Sequence, residues 1–403
     1  MNQRLRVVVA RYGPSILGGA ERLSRMLATR LAAAGWEVGV VTTRALDERT
    51  WADALPAGDT IDDGVRVERH SVRMPRRPQA FRQLSRGFWR LPAAARPEAA
   101  WLALQGPWSP GLERSLRERP DLPTLFVGYL YRPSVRGLAL VRGARLLLPT
   151  AHDERPLHLR AVGRMLDAAD GLWYATPEER DIVERAHPTV AGRGATEIGN
   201  VAVEAPEGLE QAAARARTRH RLDAAPYLLY AGRDTEGKGV GELLEGLRRL
   251  RESHPEIRLV LLGEAGERDD GIAGVVPLGR VDDAERWALT AGAAAVVVPS
   301  FHESLSLLAL EAWAAGRPAI LNAASPVLAG QAARSGAGLT YRGPAELAVV
   351  ARGLIDDPAR ADALGAAGRD FVAASSSWPA VIGRLERLLE VAAPAAAARG
   401  ARW

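Results

Sequence analysis

Cysteine is absent from the 403 residues, which excludes a disulfide framework and any thiolate metal site. That absence fits a reducing compartment such as the cytoplasm. No uninterrupted apolar run approaches the roughly 18 residues that a membrane-spanning helix needs. Leu5 to Ala10 is too short for the apolar region of a secretory leader, and Arg11 follows it at once. A soluble protein, at most peripheral to a membrane, is expected. Lysine is nearly missing: of 53 basic residues only Lys238 is a lysine, so 52 are arginines. Asparagine occurs only at Asn2, Asn200 and Asn322, and the joint bias fits a GC-rich coding sequence. The lone lysine stands out because an ammonium is a compact point charge, whereas guanidinium is a broad fork.

What remains is an ordinary globular mixture, 47% hydrophobic and 25% charged, long enough for two or three domains with sizeable cores. The net charge of +5 is modest and spread as solvated surface. No nucleic-acid partner is expected.

Arg4 to Ala10 is a β-branched run of the kind buried in parallel sheets. A loop carrying Gly18 and Gly19 follows, and Glu21 to Ala34 places Leu23, Met26, Leu27 and Leu31 on one helical face. Gly35 ends that helix and Val38 to Thr42 is the next strand, giving a βαβ unit. The pattern blurs from Leu46 to Arg145, then returns in strands at Ala144 to Thr150 and Gly171 to Ala175 and a helix at Asp181 to Ala186. After Asn200 and a helix over Pro206 to His220, a second series begins. Its strands are Tyr227–Ala231, Arg258–Gly263, Val275–Leu278, Ala293–Pro299, Pro318–Asn322 and Gly338–Tyr341. Helices are predicted between them at Val240–Glu252, Asp283–Ala291, Ser306–Ala315 and Pro344–Ile355. Strands and helices alternating at this rhythm imply α/β halves with parallel sheets covered on both faces. The expected division is residues 1–200 and 201–374, with a closing helix over Ser375 to Val391 and a fraying tail from Ala392 to Trp403.

Ligands of open α/β sheets bind beyond the carboxyl ends of strands. Gly232-Arg233-Asp234-Thr235-Glu236-Gly237-Lys238-Gly239 follows one such strand and runs into a helix. A guanidinium fork, an ammonium and helix N–H groups together suit a diphosphate. The glycine spacing of a Walker loop is missing, and a surface turn with two solvated cations has the same spacing. Pro299 to Ala312 reads as strand end, polar loop and apolar helix, with Glu303 at the loop and Glu311 two turns further along roughly the same face. A carboxylate in the apolar stretch Leu307 to Ala315 needs a partner; ribose hydroxyls or an arginine would serve. Gly279 to Asp283 can meet a base through its backbone, while Asp282 or Asp283 can equally be a helix N-cap. In the first half, Gly18-Gly19 opens a helix, and His152-Asp153 follows a strand, where a carboxylate can orient an imidazole. No histidine has convincing metal-ligand spacing.

These residues resemble the retaining GT-B glycosyltransferases of family 4. The resemblance rests on Gly232-Arg233 with Lys238-Gly239, then Glu303 and Glu311 on a Pro-Ser loop and helix, and Trp378 before the last helix. It is strong from Tyr227 to Leu389, weaker at Arg4 to Thr43 and Ala144 to Asn200, and absent from Leu46 to Leu140. It implies two Rossmann-like domains facing a cleft, with the final helix crossing back to the first. The first domain would bind the acceptor and the second the nucleotide sugar, UDP- or GDP-linked. By similarity Arg233 and Lys238 hold the diphosphate, Glu303 the sugar hydroxyls and Glu311 the ribose. Gly232, Ser304, Leu305, Ser306 and Leu307 would approach phosphate and sugar, and Arg280-Val281 the base. Gly18 and Gly19 would line the cleft, and His152 would face the sugar. The resemblance further implies retention of configuration, with the leaving diphosphate helping to deprotonate the acceptor, and no metal cofactor. Ser304 and Ser306 stand where the family often has glycine, and Val201-Ala202-Val203 replaces the usual hinge residues.

His70 to Pro97 contains no acid and seven arginines. Phe81, Leu84, Phe88 and Leu91 fall at helical spacing, with Arg82, Arg86 and Arg90 on another side. This is either a basic amphipathic helix on an anionic membrane, suited to a lipid-linked saccharide acceptor, or a helix packed on its own domain. Trp89, Trp101 and Trp108 nearby can stack on a sugar or fill core. Two other functions remain on the sequence: a sugar-nucleotide epimerase of the same fold, which gives no reason for Glu303 and Glu311 together, and a non-catalytic nucleotide-sugar binder.

Overall fold

The computed structural model describes residues 3–16, 18–193, 196–222, 225–267 and 271–400. Contacts divide the chain into two compact units, Met1–Val201 with Val381–Trp403, and Ala202–Ala380.

The first unit is built on eight strands: β1 (Arg4–Val8), β2 (Glu37–Thr43), β3 (Gly58–Asp62), β4 (Val65–His70), β5 (Thr124–Val127), β6 (Arg145–Leu148), β7 (Gly171–Tyr174) and β8 (Thr196–Ile198). Their order is β3-β4-β2-β1-β5-β6-β7-β8. Every neighbouring pair is parallel except β3 with β4, where Asp62 lies opposite Val65. The β3–β4 turn is Asp63-Gly64, with φ of 46° and 82°. An Asp-Gly pair favours such a tight turn because both residues tolerate the left-handed region. Val7 pairs with Val40 on one side and Leu125 on the other. Helices cover both faces of a central parallel strand, so its side chains can be apolar throughout.

The second unit has six strands: β9 (Tyr227–Ala231), β10 (Arg258–Leu262), β11 (Val275–Gly279), β12 (Ala295–Val298), β13 (Ala319–Asn322) and β14 (Gly338–Tyr341). All are parallel, in the order β11-β10-β9-β12-β13-β14. Alternate residues feed opposite faces. Leu228 and Tyr230 pack in one cluster with Leu243, Leu259 and Val297, while Tyr227 and Leu229 pack in another with Val260, Leu289 and Val296. The order in which strands are added reverses between β9 and β12, so the connections after those strands leave on opposite faces of the sheet and a crevice forms at the carboxyl edge.

Most predicted elements recur within a few residues of their expected ends. The blurred stretch holds β3, β4 and β5 and the helices Pro78–Arg90, Glu98–Gln105 and Pro110–Glu118. The helix expected at Asp181 begins at Pro177, and two unpredicted helices, Pro326–Ser335 and Pro358–Ser375, cover the second sheet's region. The last helix runs from Trp378 to Ala398 with Pro394 inside it, so the tail expected to fray from Ala392 is helical to Ala398; residues 401–403 lie outside the described residues. Val381, Leu385, Leu388, Ala392 and Ala396 are fully buried at three- and four-residue spacing, which gives this helix a continuous apolar stripe. Leu388 fills the space above Gly171, where an added Cβ would lie 2.9 Å from its Cδ1.

Asp170 ties the end of this helix to the first sheet. Its buried carboxylate accepts from the Arg145 backbone N–H at 2.9 Å, the Arg145 guanidinium at 3.0 Å and Arg399 Nη1 at 2.9 Å. Burial alone would raise this carboxyl, but the hydrogen bonds from Arg399 and Arg145 outweigh it and hold it below the usual carboxylate value. A carboxyl depressed in the folded state stabilises the fold above its unfolded pKa, about 4, and ceases to as pH falls through the folded value. Asp170→Asn is therefore expected to cost about 2–3 kcal/mol at neutral pH. In urea titrations the gap from the unsubstituted protein should narrow below about pH 4.

Candidate functional site

The loops after β9 and β12 converge at the point where strand order reverses. Gly239 has a left-handed φ of 70°, and a Cβ there would fall 2.2 Å from the Pro299 carbonyl oxygen. Only glycine allows the helix Val240–Leu250 to start so close to the end of β12. Phe301 N–H donates to the Gly237 carbonyl at 3.0 Å, which fastens the two loops backbone to backbone. Pro299 is held in turn by Asn322, whose side-chain amide donates to its carbonyl at 3.0 Å.

Across that junction the Lys238 ammonium lies 2.6 Å from Glu303 Oε1. The side chains are 23% and 15% exposed, so both reach solvent at the loop mouth rather than being sealed in. The Lys238 backbone N–H closes its turn onto the Thr235 carbonyl at 2.9 Å. Arg233 leaves the same loop, and its carbonyl accepts from the Tyr230 hydroxyl at 3.0 Å. Burial, and then the Glu303 carboxylate, push the Tyr230 phenol above its ordinary value, so it stays a neutral donor. The phenol also fills the space where a side chain at Gly232 would go, 2.4 Å from an added Cβ.

Ser306 caps the helix Leu307–Ala314, accepting from Ala309 N–H at 3.2 Å, and its own N–H donates to Gln331 Oε1 at 2.9 Å. A serine therefore has a structural use at the position where the resemblance leads one to expect glycine. Ser304, Leu305 and Leu307, which flank this cap, are half-buried. Glu311 is only 2% exposed, and its Oε2 accepts a short bond from Arg286. Arginine is thus one partner of this carboxylate. A carboxylate accepts about four hydrogen bonds, so an arginine pair leaves capacity for a diol. Arg286 itself bridges to Asp283 at 3.2 Å. Arg280 and Val281 follow β11, two strands from β9 in the same sheet. Arg280 pairs in the open with Glu267 at 3.1 Å, and Val281 packs on the core. Asp282, not Asp283, is the N-cap of the helix Asp283–Gly292, accepting from Glu285 N–H at 2.8 Å.

Gly18, Gly19 and His152 belong to the first unit, at the carboxyl edge of its sheet. The helix Gly19–Ala33 carries its own acid at its start: an added Cβ on Gly18 would sit 2.0 Å from Glu21 Oε2. Glu21 is held by Arg11 at 2.6 Å, and Arg11 also reaches Glu48 at 3.0 Å. Around Gly19 there is open space. The carboxylate beside His152 is not Asp153, as the dipeptide suggests, but Glu154, whose Oε1 lies 3.4 Å from the imidazole Nε2. Asp153 pairs instead with His158 at 2.9 Å. Successive residues of an extended turn point apart, so the sequence neighbour is the less able to reach back. Glu154 also accepts from the buried Tyr129 hydroxyl at 2.5 Å.

The basic segment forms the helix Pro78–Arg90, packed on its own unit through Phe88 stacked on Trp101, ring centroids 5.3 Å apart. Trp101 is buried core and donates to Ser85 at 3.0 Å. Trp89 joins that cluster, while Trp108 lies between the guanidinium groups of Arg73 and Arg132, 5.0 and 5.2 Å away. Arg82, Arg86 and Arg90 face solvent with Leu84 and Leu91. Among the described residues no cluster of three or more His, Asp and Glu is placed to hold a metal ion, and no helix is long and apolar enough to cross a membrane.

Arg11, Glu48, Glu154, Glu179 and Arg286 were not singled out from the sequence. Only Glu179 left a trace there: Thr176 and Glu179 have the Thr-x-x-Glu spacing of a helix start.

Residues 225–357 match the family model described as Glycosyl transferases group 1. The chain is 28% identical to a glycogen synthase of Mycobacterium tuberculosis over 94% of its own length and 92% of the relative's. It is 29% identical to D-inositol 3-phosphate glycosyltransferase 2 of Catenulispora acidiphila over 86% and 84%. Its fold matches sucrose-phosphate synthase from Thermosynechococcus elongatus with a TM-score of 0.71, covering 97% of this chain and all of that one at 22% identity. The chain thus has the GT-B fold, its second unit carries a group 1 glycosyltransferase domain, and its named relatives are glycosyltransferases.

Proposed function

We propose that this protein is a retaining glycosyltransferase that moves a sugar from a UDP- or GDP-linked donor to a hydroxyl of a glycan, glycolipid or polyprenyl-linked saccharide. The observation that carries this reading is the Lys238–Glu303 pair, set where strand order reverses within the matched domain. Charge of both signs at one loop mouth suits a ligand with a diphosphate at one end and hydroxyls at the other. Lys238 and Arg233 meet the diphosphate, helped by the N-terminus of the helix Val240–Leu250. As the bond to the sugar breaks, negative charge grows on the leaving phosphate, and fixed cations there lower the barrier. These groups supply the neutralisation that a metal gives in other enzymes, and the proposal includes none. Glu303 accepts from sugar hydroxyls and Glu311 from the ribose, while the backbone of Ser304 to Leu307 approaches phosphate and sugar at the helix start, the Ser306 N–H being given to Gln331. Arg280 and Val281 border the base. This reading also gives Gly18, Gly19 and His152 of the first unit roles toward the sugar and acceptor.

Retention follows if the acceptor attacks on the face that the diphosphate leaves, with a phosphate oxygen taking the acceptor proton. Exposed Arg82, Leu84, Arg86 and Arg90 of Pro78–Arg90, with Leu91 after them and no acid in the segment, support a place on the cytoplasmic face of an anionic membrane. The epimerase and non-catalytic alternatives lack a comparable supporting feature.

Thermal shift against a panel of nucleotide sugars identifies the donor, because a bound ligand stabilises the native state. Lys238→Ala is expected to lower transfer by about 10²–10³-fold, and unchanged activity would remove the diphosphate role. Glu311→Gln keeps the packing and should raise the donor dissociation constant by about tenfold, read by calorimetry. The anomeric proton of the first-formed product should show the donor's configuration by NMR; the opposite anomer would rule out retention. Co-sedimentation with vesicles containing anionic lipid should weaken when Arg82, Arg86 and Arg90 are all changed to Ser, and equal binding would remove the membrane role.

A further inference from the structure

Glu179 is fully buried, in the first turn of the helix Pro177–Ala186. Thr176 caps that helix, its hydroxyl accepting from Glu179 N–H at 3.1 Å. In the usual capping pair the third residue's carboxylate turns back onto the cap residue's own N–H. Here it does something else. Oε2 accepts from Ala175 N–H at 2.6 Å, and Oε1 crosses to the neighbouring loop to accept from Ala151 N–H at 2.6 Å. Burial, only partly offset by these two amide hydrogen bonds, leaves this carboxyl raised to about 8. An apolar side chain would fill the site at less cost, so a buried carboxyl group here has to be explained by what it holds.

It holds a turn under strain. Thr150 has φ of 52°, in the left-handed region, where a β-branched residue is rarely found. Such a conformation persists only when its surroundings over-determine it. On one side Gly128 N–H donates to Leu148 O and Tyr129 N–H to Pro149 O, both at 2.9 Å. On the other side stands Glu179, bonded to the amide directly after Thr150. The next residue is His152, with Glu154 beside its ring and the Tyr129 hydroxyl donating to Glu154.

We propose that Glu179 is a positioning residue for His152: by clamping the Ala151 amide it keeps the strained Thr150 turn closed and so fixes where the imidazole stands during transfer. Glu179 touches neither the ring nor any substrate in this scheme. The inference rests on the reading of His152 as the first unit's group that faces the sugar.

The test uses the full chain, labelled at the histidine ring carbons, with the His152 signal assigned by its loss in His152→Ala. Glu179→Gln leaves one oxygen for two amides and turns an NH₂ toward the other, so one clamp is lost. The His152 signal should shift or broaden while signals of histidines in the second unit, His220 and His254, stay in place. With UDP-glucose and GDP-mannose as donors, kcat should fall by about 10–100-fold while KM for the donor changes by less than about threefold. Glycine adopts a positive φ freely, so Thr150→Gly added to Glu179→Gln should restore the His152 signal and about tenfold of the kcat. An unmoved His152 signal in Glu179→Gln would overturn the proposal. So would a fall in kcat that follows the melted fraction and is not rescued by Thr150→Gly. If His152→Ala itself transfers normally, the role of His152 fails instead, and the spectrum still decides whether Glu179 holds the turn.

Discussion

An ammonium and a carboxylate held 2.6 Å apart across two loops are the feature around which the second unit is arranged. Neither loop could present its charge alone. The six strands run one way, so every loop after a strand emerges on the same edge, and the reversal of order between β9 and β12 opens a gap there. Gly239 brings the helix start against Pro299, and the Gly237–Phe301 hydrogen bond sets the spacing. Removing water from two such charges is costly, and mutual pairing offsets only part of that cost. A pair kept at a half-open mouth remains available to a ligand that carries both kinds of partner.

The first unit uses acids differently. The carboxyl groups of Glu21, Glu179 and Asp170 are all shielded, and each is engaged with chain segments rather than with solvent. Glu21 is matched by Arg11 at the start of a helix, Asp170 by Arg145 and Arg399 at the end of one, and Glu179 by backbone amides of two loops. Three short polar junctions thereby fix a strand, a tail and a turn that apolar contacts alone would leave free to slide, since burial of apolar area is non-directional.

Much of this was legible in the sequence for a definite reason. Runs such as Tyr227–Ala231 and Ala295–Val298 are buried on both faces, so hydrophobicity is continuous and their ends are marked by polar loops. The order of Arg233, Lys238, Glu303 and Glu311 along the chain indicated a shared edge. Long-range pairings left no such trace. Nothing near Glu311 names Arg286, twenty-five residues earlier, and nothing near His152 distinguishes Glu154 from Asp153, because the choice is made by how one turn projects its side chains. The stretch from Leu46 to Arg145 hid its elements behind proline and arginine, although Asp63-Gly64 does carry a hairpin signal. The helix Pro358–Ser375 escaped because its alanines and glycines give little contrast between faces.

The final helix has a consequence for how the chain is made. Residues Val381 onward complete the first unit, although the whole second unit lies between the two parts in sequence. Domains usually settle as they leave the ribosome, amino-terminal one first. Here the contiguous second unit can close while the earlier strands still lack Leu385, Leu388 and the Arg399 contact to Asp170. The part synthesised first is the part that finishes last, and its surface around Gly171, open until Leu388 covers it, is the one that has most need of shelter during synthesis.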